Sequence, residues 1–455
     1  MIPLVKLTGG TLDAVFLYTA VLGLLLLVAT VIRVHIPLFK RLFIPASLIA
    51  GVIGLILGPH MLKIIPAQMY AYWSALAGRL IVLVFAPMLI TGSLPQFKKL
   101  ANIAGPQVVY SYASTFLQYS LPLLLGALLL GPVFGVNDLF GTIVEQGWAG
   151  GHGTSGGMSA IFNELGYADG ASLSVTSATV GLIFGIVGGT AIINYAVRKG
   201  WTSVLKVQKD GEEVSDLFGQ EKSQIGSRVT ISQDVIEGFA FHLSLIGAAM
   251  FVGWILVKAC KLYLNFSIAW FVTAMIGGLL VQLVIGGTKW NKCIDKATMS
   301  RIQGVSLEFL VAGAVASVNV PIVVAYAVPL LIQQGAMMLA MVAMVFFFAP
   351  RVFKTNWFEN SMVLFGTFCG VAATGLLLLR TVDPEMKTDV SEAFAARTPF
   401  CSPLLGGGIL TGITPGMVAQ YGAFKVGIGY TAALILAFLV PRIFGWWSTG
   451  VKTKC

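Results

Sequence analysis

Long apolar blocks separated by short polar loops constrain the fold of this 455-residue chain more than any other feature. A transmembrane helix needs roughly 20 predominantly apolar residues, and segments of that length recur along the whole chain. Hydrophobic residues make up 57% of the sequence and charged residues 11%, which excludes an ordinary soluble globular protein. We predict an all-α membrane protein built from the blocks Leu12–Ile32, Phe43–Leu62, Leu76–Leu94, Val108–Val133, Ser172–Ala196, Phe239–Ala259, Phe266–Ile285, Val305–Val320, Ile322–Val352 and Thr398–Trp447, the last of which forms one broken helix or two spans.

The basic residues predict the orientation of these helices. The net charge is +10, but the Lys and Arg residues lie in short loops, so we expect a membrane and no nucleic-acid partner. If the blocks alternate in direction, most basic residues of the first half share one face, while the other face receives Lys6 and Lys63. The positive face is the cytoplasmic one. The N-terminus is therefore predicted to lie outside and the segment after Ala196 in the cytoplasm.

A mixed-charge segment divides the chain into two membrane parts. Residues 201–236 include Lys209, Asp210, Glu212 and Glu213, a composition typical of a solvated connector. We predict a first membrane repeat over residues 1–200, a cytoplasmic linker over 201–236 and a second repeat over 237–455. A regulatory module is the alternative interpretation of the linker.

The two membrane parts share weak sequence similarity, which indicates an internal duplication. Gly78 and Pro95 recur as Gly304 and Pro321, both at a spacing of 226 residues. Because the first half has an odd number of full spans, its copy would enter the membrane in the opposite orientation. Such inverted repeats are typical of secondary transporters.

A glycine string, Gly150-Gly-His-Gly-Thr154, interrupts the apolar pattern. Each glycine in a helix interior costs roughly 1 kcal/mol relative to alanine. Irregular backbone at membrane depth is tolerated only where protein buries it or where it lines an aqueous cavity. A related segment, Gly370–Thr374, follows 220 residues later. We therefore predict two re-entrant hairpins, near residues 140–165 and 358–380, whose tips meet near the middle of the membrane.

The stretch from Gly147 to Asn194 carries the most specific motifs. It contains Gly150-Gly-His-Gly-Thr-Ser-Gly-Gly-Met-Ser-Ala-Ile-Phe162 and the glycine-rich segment Thr176–Gly189, and in this it resembles the sodium/glutamate symporter family. Phe43-Ile-Pro-Ala and Val305-Ser-Leu are also similar to the pattern of that family. The resemblance implies two inverted repeats of about five helices, each with a re-entrant hairpin. It also implies sodium-coupled uptake of an acidic amino acid at the inner membrane by a homodimer with an elevator-like motion.

Main-chain and hydroxyl groups at the two helix breaks are the expected ligands of a symporter of this kind. Na⁺ is a hard cation that prefers oxygen, and carbonyls freed by a helix break supply it together with hydroxyls. A carboxylate binds free N–H groups at the positive N-terminal end of a half-helix. We predict substrate-binding residues Gly151, His152, Gly153, Thr154, Ser155, Thr374, Gly375 and Arg380, and sodium ligands Gly150, Thr154, Thr367, Gly370 and Thr374.

Titratable residues near the hairpins leave alternatives open. His152 is either a proton carrier, because histidine titrates near neutrality, or a hydrogen-bonding residue that holds the tip. Arg380 either binds a substrate carboxylate or extends to the cytoplasmic surface. Glu308 is either a coupling carboxylate or an interfacial residue. Glu145 and Glu359, at the starts of the hairpins, are expected to be interfacial.

These observations predict a secondary active symporter and no enzyme. The expected substrate is L-glutamate or a related small organic anion, Na⁺ is the coupling ion, and no cofactor is expected. A di- or tricarboxylate substrate and proton coupling are the alternatives within transport. An intramembrane enzyme with His152 as base would need a partner group, and only Thr154, Ser155 and Ser159 lie near it in the sequence. A passive channel is the third hypothesis.

Overall fold

The computed structural model describes residues 8–37, 39, 44–90, 97–202, 228, 230–232, 234–383 and 387–447, with the backbone alone over 97–103. Every regular element in these residues is helical, as predicted. Within the same residues, eight helices are long and apolar enough to cross a membrane. The chain is a multi-pass, all-α membrane protein. Most of the predicted linker falls outside the described residues.

The first half of the chain contains long helices followed by an interrupted segment. The helix α4 continues through a π-helical turn, Gly126–Leu130, into Gly131–Phe134, and a 3₁₀ turn, Asp138–Thr142, precedes α5. The helices are α1 (Gly9–His35), α2 (Ala46–Leu57), α3 (Ala67–Phe85, extended by a 3₁₀ turn over Ala86–Leu89), α4 (Phe97–Leu125), α5 (Ile143–Trp148), α6 (Gly151–Gly157), α7 (Ser159–Glu164) and α8 (Gly170–Lys199).

The second half also contains long helices followed by an interrupted helix. The helix α13 continues through a π-helical turn, Met344–Phe348, into Ala349–Val352, and a 3₁₀ turn, Lys289–Cys293, precedes α11. The helices are α9 (Gly238–Leu264), α10 (Trp270–Gly286), α11 (Lys296–Ala316), α12 (Val320–Ala325), α13 (Ala327–Ala343), α14 (Trp357–Val382), α15 (Val390–Cys401), α16 (Ile409–Tyr421) and α17 (Ala423–Ile443). That the two halves are inverted copies stays a prediction.

Capping side chains extend one predicted block. The carboxylate of Asp295 accepts hydrogen bonds from the N–H and the hydroxyl of Thr298, at 3.0 and 2.7 Å, and so satisfies a free N–H group in the first turn of α11. The helix therefore begins at Lys296, whereas the apolar pattern alone predicted a block starting at Val305.

The final apolar block, Thr398–Trp447, is divided by glycines. Gly406, Gly407 and Gly422 have φ angles of +58°, +102° and +83°, a region that residues other than glycine rarely adopt. These positions separate α15 from α16 and α16 from α17. The block is therefore broken at two places, and among its described residues only α17 is long and apolar enough to cross a membrane.

The helices form two groups, and within each group the helices pack mainly against one another. In the scaffold group, defined as α1–α3 and α9–α11, α3 and α2 pack against α11, and α9 packs against α10. In the core group, defined as α4–α8 and α13–α17, α4 packs along α17 and α15, and α8 packs along α14. The helices α6 and α7 lie between the groups, against α3 and α11. The interrupted segments thus lie where the two groups meet.

Candidate functional site

Two helix breaks lie in contact with each other. Gly151 has a φ angle of +70°, and Val371 has one of +64° next to the non-helical Gly370. A Cβ atom built on Gly151 would lie 2.5 Å from Cγ1 of Val371. A left-handed backbone is unfavourable for a β-branched residue such as valine, so the surrounding packing has to hold this conformation.

The chain folds back on itself at each break. The Ser155 hydroxyl donates a 3.1 Å hydrogen bond to the carbonyl oxygen of Gln146, across the first break. Across the second break, a Cβ atom built on Gly366 would lie 2.8 Å from Cα of Gly375, so the two arms touch through glycine. We call the segment Asp138–Glu164 the first hairpin and the segment Trp357–Val382 the second hairpin.

Two buried glutamines hold the hairpins close to their breaks. The indole N–H of Trp148 donates a 2.6 Å hydrogen bond to Oε1 of Gln334, on α13. The side-chain amide of Gln118, on α4, donates a 2.5 Å hydrogen bond to the carbonyl oxygen of Phe368. Trp148 lies three positions before Gly151, and Phe368 lies two positions before Gly370. Because each glutamine belongs to the other half of the chain, each hairpin is fixed by the opposite half.

A cavity of about 370 Å³ lies between the two breaks and the scaffold group. We call it the tip cavity. Residues of α2, α3 and α11 form its scaffold side, with Glu308 among them, and this carboxylate is solvent-exposed. The hairpin side is formed by Gly150, Gly151, His152, Gly153, Thr154, Gly370, Val371, Ala373 and Thr374.

Most of the predicted site residues line the tip cavity. The hydroxyl of Thr154 makes no hydrogen bond with any of the described residues, although its residue is only 4% exposed. The hydroxyl of Thr374 donates to the carbonyl oxygen of Gly370. Nε2 of His152 lies 3.0 Å from the Thr179 hydroxyl, which supports the hydrogen-bonding interpretation of this histidine. The cavity wall therefore presents hydroxyl and main-chain groups, as a site for small polar solutes requires.

Four predicted site residues lie away from the cavity lining. Ser155 is buried and bonds to carbonyl oxygens of Gln146 and Ser174, at 3.1 Å each. Thr367 donates to the Val363 carbonyl oxygen at 2.6 Å and packs against Gly375, so these two residues join the arms of the second hairpin. Arg380 is exposed near the end of α14. The structure does not bring these four together with the tip cavity.

The expectation that Glu145 and Glu359 are interfacial is wrong. Their side chains are 0% and 1% exposed. Glu145 accepts hydrogen bonds from the Tyr119 hydroxyl at 2.6 Å, the Thr411 hydroxyl at 2.9 Å and the Gly406 N–H at 3.0 Å. These donors come from distant parts of the chain and were invisible in the local sequence. The sequence feature that could have indicated a buried Glu145 is its position as a carboxylate inside an apolar run, and such residues usually have a functional role.

Arg397 is a further buried charged residue, and the sequence did not indicate it. Its side chain is 6% exposed, and its guanidinium donates a 2.9 Å hydrogen bond to the Ser111 hydroxyl. The guanidinium carbon lies 4.3 Å from the ring centre of Phe394 and 5.9 Å from that of Phe368. The aromatic faces attract the cation and stabilise its position behind the second hairpin.

The fold and the site together define a class of protein. A multi-pass helical protein in which two helix breaks meet at a cavity has the features of a secondary transporter. The sodium/glutamate symporter family model matches residues 11–376 of the chain. The chain belongs to the sodium/glutamate symporter family. No curated protein matches the sequence significantly.

Proposed function

We propose that the chain catalyses sodium-coupled symport of L-glutamate, or of a related small organic anion, across the inner membrane. The observation that carries this proposal is the contact of the two helix breaks at the tip cavity, together with membership in a symporter family. A volume of about 370 Å³ is large enough for a small amino acid or dicarboxylate.

Main-chain groups are the proposed ligands of the substrate. Among the residues lining the tip cavity, none is Lys or Arg, so a carboxylate would depend on N–H donors. Gly151 and Gly153 leave the main chain accessible, and His152 and Thr154 add side-chain groups. On the second hairpin, Thr374 has the same role. Arg380 stays outside this proposed site because it is exposed near the end of α14.

Oxygen atoms at the breaks are the proposed ligands of Na⁺. The carbonyl oxygens at Gly150 and Gly370 and the hydroxyls of Thr154 and Thr374 are of the hard type that this ion prefers. Thr367 belongs to the originally predicted set, but unlike Thr374 it is not part of the tip cavity lining. The Na⁺ ion is transported with the substrate and is not a resident cofactor.

An elevator-like movement of the core group is the proposed transport mechanism. The second arm of the first hairpin presents Gly153, Gly156 and Gly157 to Leu307, Ala314 and Ile81 of the scaffold. Small residues permit close helix approach, and such a surface supports sliding. At the second hairpin, the tip cavity separates Ala373 from the scaffold. The first hairpin thus packs closely against the scaffold, while the second is separated from it by the tip cavity. This difference fits a conformation in which the site is open to one side of the membrane only. A homodimer with its N-terminus outside is the proposed assembly.

Uptake of labelled glutamate into proteoliposomes tests the proposal. We expect accumulation against the glutamate gradient when an inward Na⁺ gradient is imposed, and none when K⁺ replaces Na⁺. Accumulation against a gradient would also exclude a channel. If another di- or tricarboxylate were accumulated and glutamate were not, the substrate assignment would be wrong. Uptake driven by a proton gradient without Na⁺ would overturn the coupling ion.

A further inference from the structure

The Glu145 carboxylate is buried without a cationic partner. Its side chain is 0% exposed, and within the described part of the chain no Lys, Arg or His lies within ion-pair distance. Its three hydrogen-bond donors, from Tyr119, Thr411 and Gly406, are all uncharged. A carboxylate has about four acceptor positions, so one remains open. A buried negative charge in a membrane protein is costly unless a positive charge neutralises it.

Further oxygen atoms lie close to Gly406, which contacts this carboxylate, and to its neighbour Gly407. A Cβ atom built on Gly407 would lie 2.5 Å from Oγ1 of Thr154, and one built on Gly406 would lie 3.1 Å from the carbonyl oxygen of Ala149. Gly406 also donates its N–H to Glu145 at 3.0 Å. Two adjacent glycines between α15 and α16 therefore contact the Glu145 carboxylate, the Thr154 hydroxyl and the Ala149 carbonyl.

The position of Ala149 adds a favourable electrostatic contribution for a cation. This residue is the C-cap of α5, which ends at the break of the first hairpin. The C-terminal end of a helix carries partial negative charge, and the C-terminal ends of half-helices coordinate coupling ions in transporters. Carboxylate, hydroxyl and carbonyl oxygens form a donor set suited to a hard cation.

We propose that Glu145, Thr154, Thr411 and the Ala149 carbonyl form a sodium site in which Glu145 supplies the neutralising charge. The inference rests on the proposed function, since it takes Na⁺ as the coupling ion. An uncompensated carboxylate near the hairpin tip repels an anionic substrate. Bound Na⁺ removes that repulsion and so links the binding of the anion to the binding of the cation.

The full-length chain and its Glu145→Gln variant test the site, with Glu359→Gln as matched control. Glu359 is equally buried but lies in the first turn of α14, far along the helix from the second break. The first measurement is the shift of melting temperature when choline is replaced by Na⁺, and the second is the Na⁺ dependence of glutamate uptake in proteoliposomes. We expect Glu145→Gln to lose the shift and to weaken the apparent Na⁺ affinity by about tenfold or more. Glu359→Gln should keep both.

A second pair of variants guards against a folding defect in Glu145→Gln. Thr154→Val has the shape of threonine without its oxygen, and Thr154→Ser keeps the oxygen. Thr154 is also among the proposed ligands at the breaks, so loss of the Na⁺-dependent melting shift in the valine variant, with retention in the serine variant, supports the site when Glu145→Gln loses the shift as well. An unchanged shift in both overturns it.

Other outcomes separate this inference from the proposed function. If the natural chain shows no melting response to Na⁺, or if Glu145→Gln responds normally, the sodium site is wrong. If Glu145→Gln keeps its Na⁺ response but loses a response of uptake to a pH gradient, the carboxyl group carries a proton, and the sodium assignment is overturned. If the Na⁺ shift depends on Glu145 while glutamate is not taken up, the site stands and the substrate of the proposed function fails.

Discussion

Replacing Gln334 with methionine removes the hydrogen bonds that hold the first hairpin, with little change in side-chain volume. Oε1 of Gln334 accepts the Trp148 indole N–H at 2.6 Å, and its amide donates to the Ser177 hydroxyl at 3.0 Å. All three side chains are buried, so water cannot replace the lost partner. A buried donor or acceptor without a partner costs about 1–3 kcal/mol. Two such groups correspond to about 2–6 kcal/mol of lost stability.

The assay is thermal unfolding of the purified full-length chain in detergent, followed by uptake in proteoliposomes. We expect a melting temperature lowered by on the order of 5 °C, together with weaker substrate binding because the first break is less well positioned. The control is Gln282→Met on α10, whose amide bonds to the half-exposed Asn291 at 3.0 Å. Equal melting temperatures for Gln334→Met and the natural chain would refute the reasoning. So would an equal fall in the Gln282→Met control.

Three further changes give outcomes of different kinds. Gly407→Ala places a Cβ atom 2.5 Å from the Thr154 hydroxyl, at a position where the φ angle is +102°. We therefore expect this variant to lose glutamate uptake. The control is Gly429→Ala, whose Cβ atom meets no atom within 4 Å, and this variant should transport normally. Arg397→Met replaces a buried charge that has no carboxylate partner among the described residues. Thermal unfolding should therefore show that the variant is as stable as the natural chain or more stable. A loss of stability above about 3 kcal/mol would contradict this expectation. Asp295→Ala removes the cap of α11 and should cost about 1 kcal/mol near neutral pH, read as a melting difference from the natural chain. Burial acts to raise the pKa of Asp295, but its hydrogen bonds outweigh burial and leave the pKa lowered, so this stabilisation exists above the unfolded value of about 3.9 and disappears as the pH falls through the folded value. A melting difference that did not shrink as the pH was lowered below about 3.9 would contradict the assignment.

The hairpin tips were accessible to sequence reasoning because their signal is local. Glycine density marked Gly150–Thr154, and the spacing of 220 residues marked Gly370–Thr374. The glycines that permit each helix break lie at the break itself, so the sequence of that segment alone reveals it. Most of the residues predicted on this basis line the tip cavity.

The surroundings of Glu145 could not be predicted in this way. Its partners Tyr119 and Thr411 lie 26 and 266 positions away along the chain, so local patterns carry no information about them. Proximity to a loop made the interfacial interpretation reasonable, but tertiary packing buried the carboxylate. Arg397 was missed for a similar reason, since the Ser111 hydroxyl and the ring of Phe368 meet it only in the folded protein. Long-range contacts between helices decide the environment of charged residues in this fold.

The exchange of glutamines between the two halves has a consequence for how the protein is assembled. Gln118 in the first half holds Phe368 of the second, and Gln334 in the second half holds Trp148 of the first. Neither half therefore contains all that its own hairpin requires. Two fragments divided within residues 203–227 should each be unstable alone and should recover transport only when produced together. The two halves behave as complementary subunits that happen to share one chain.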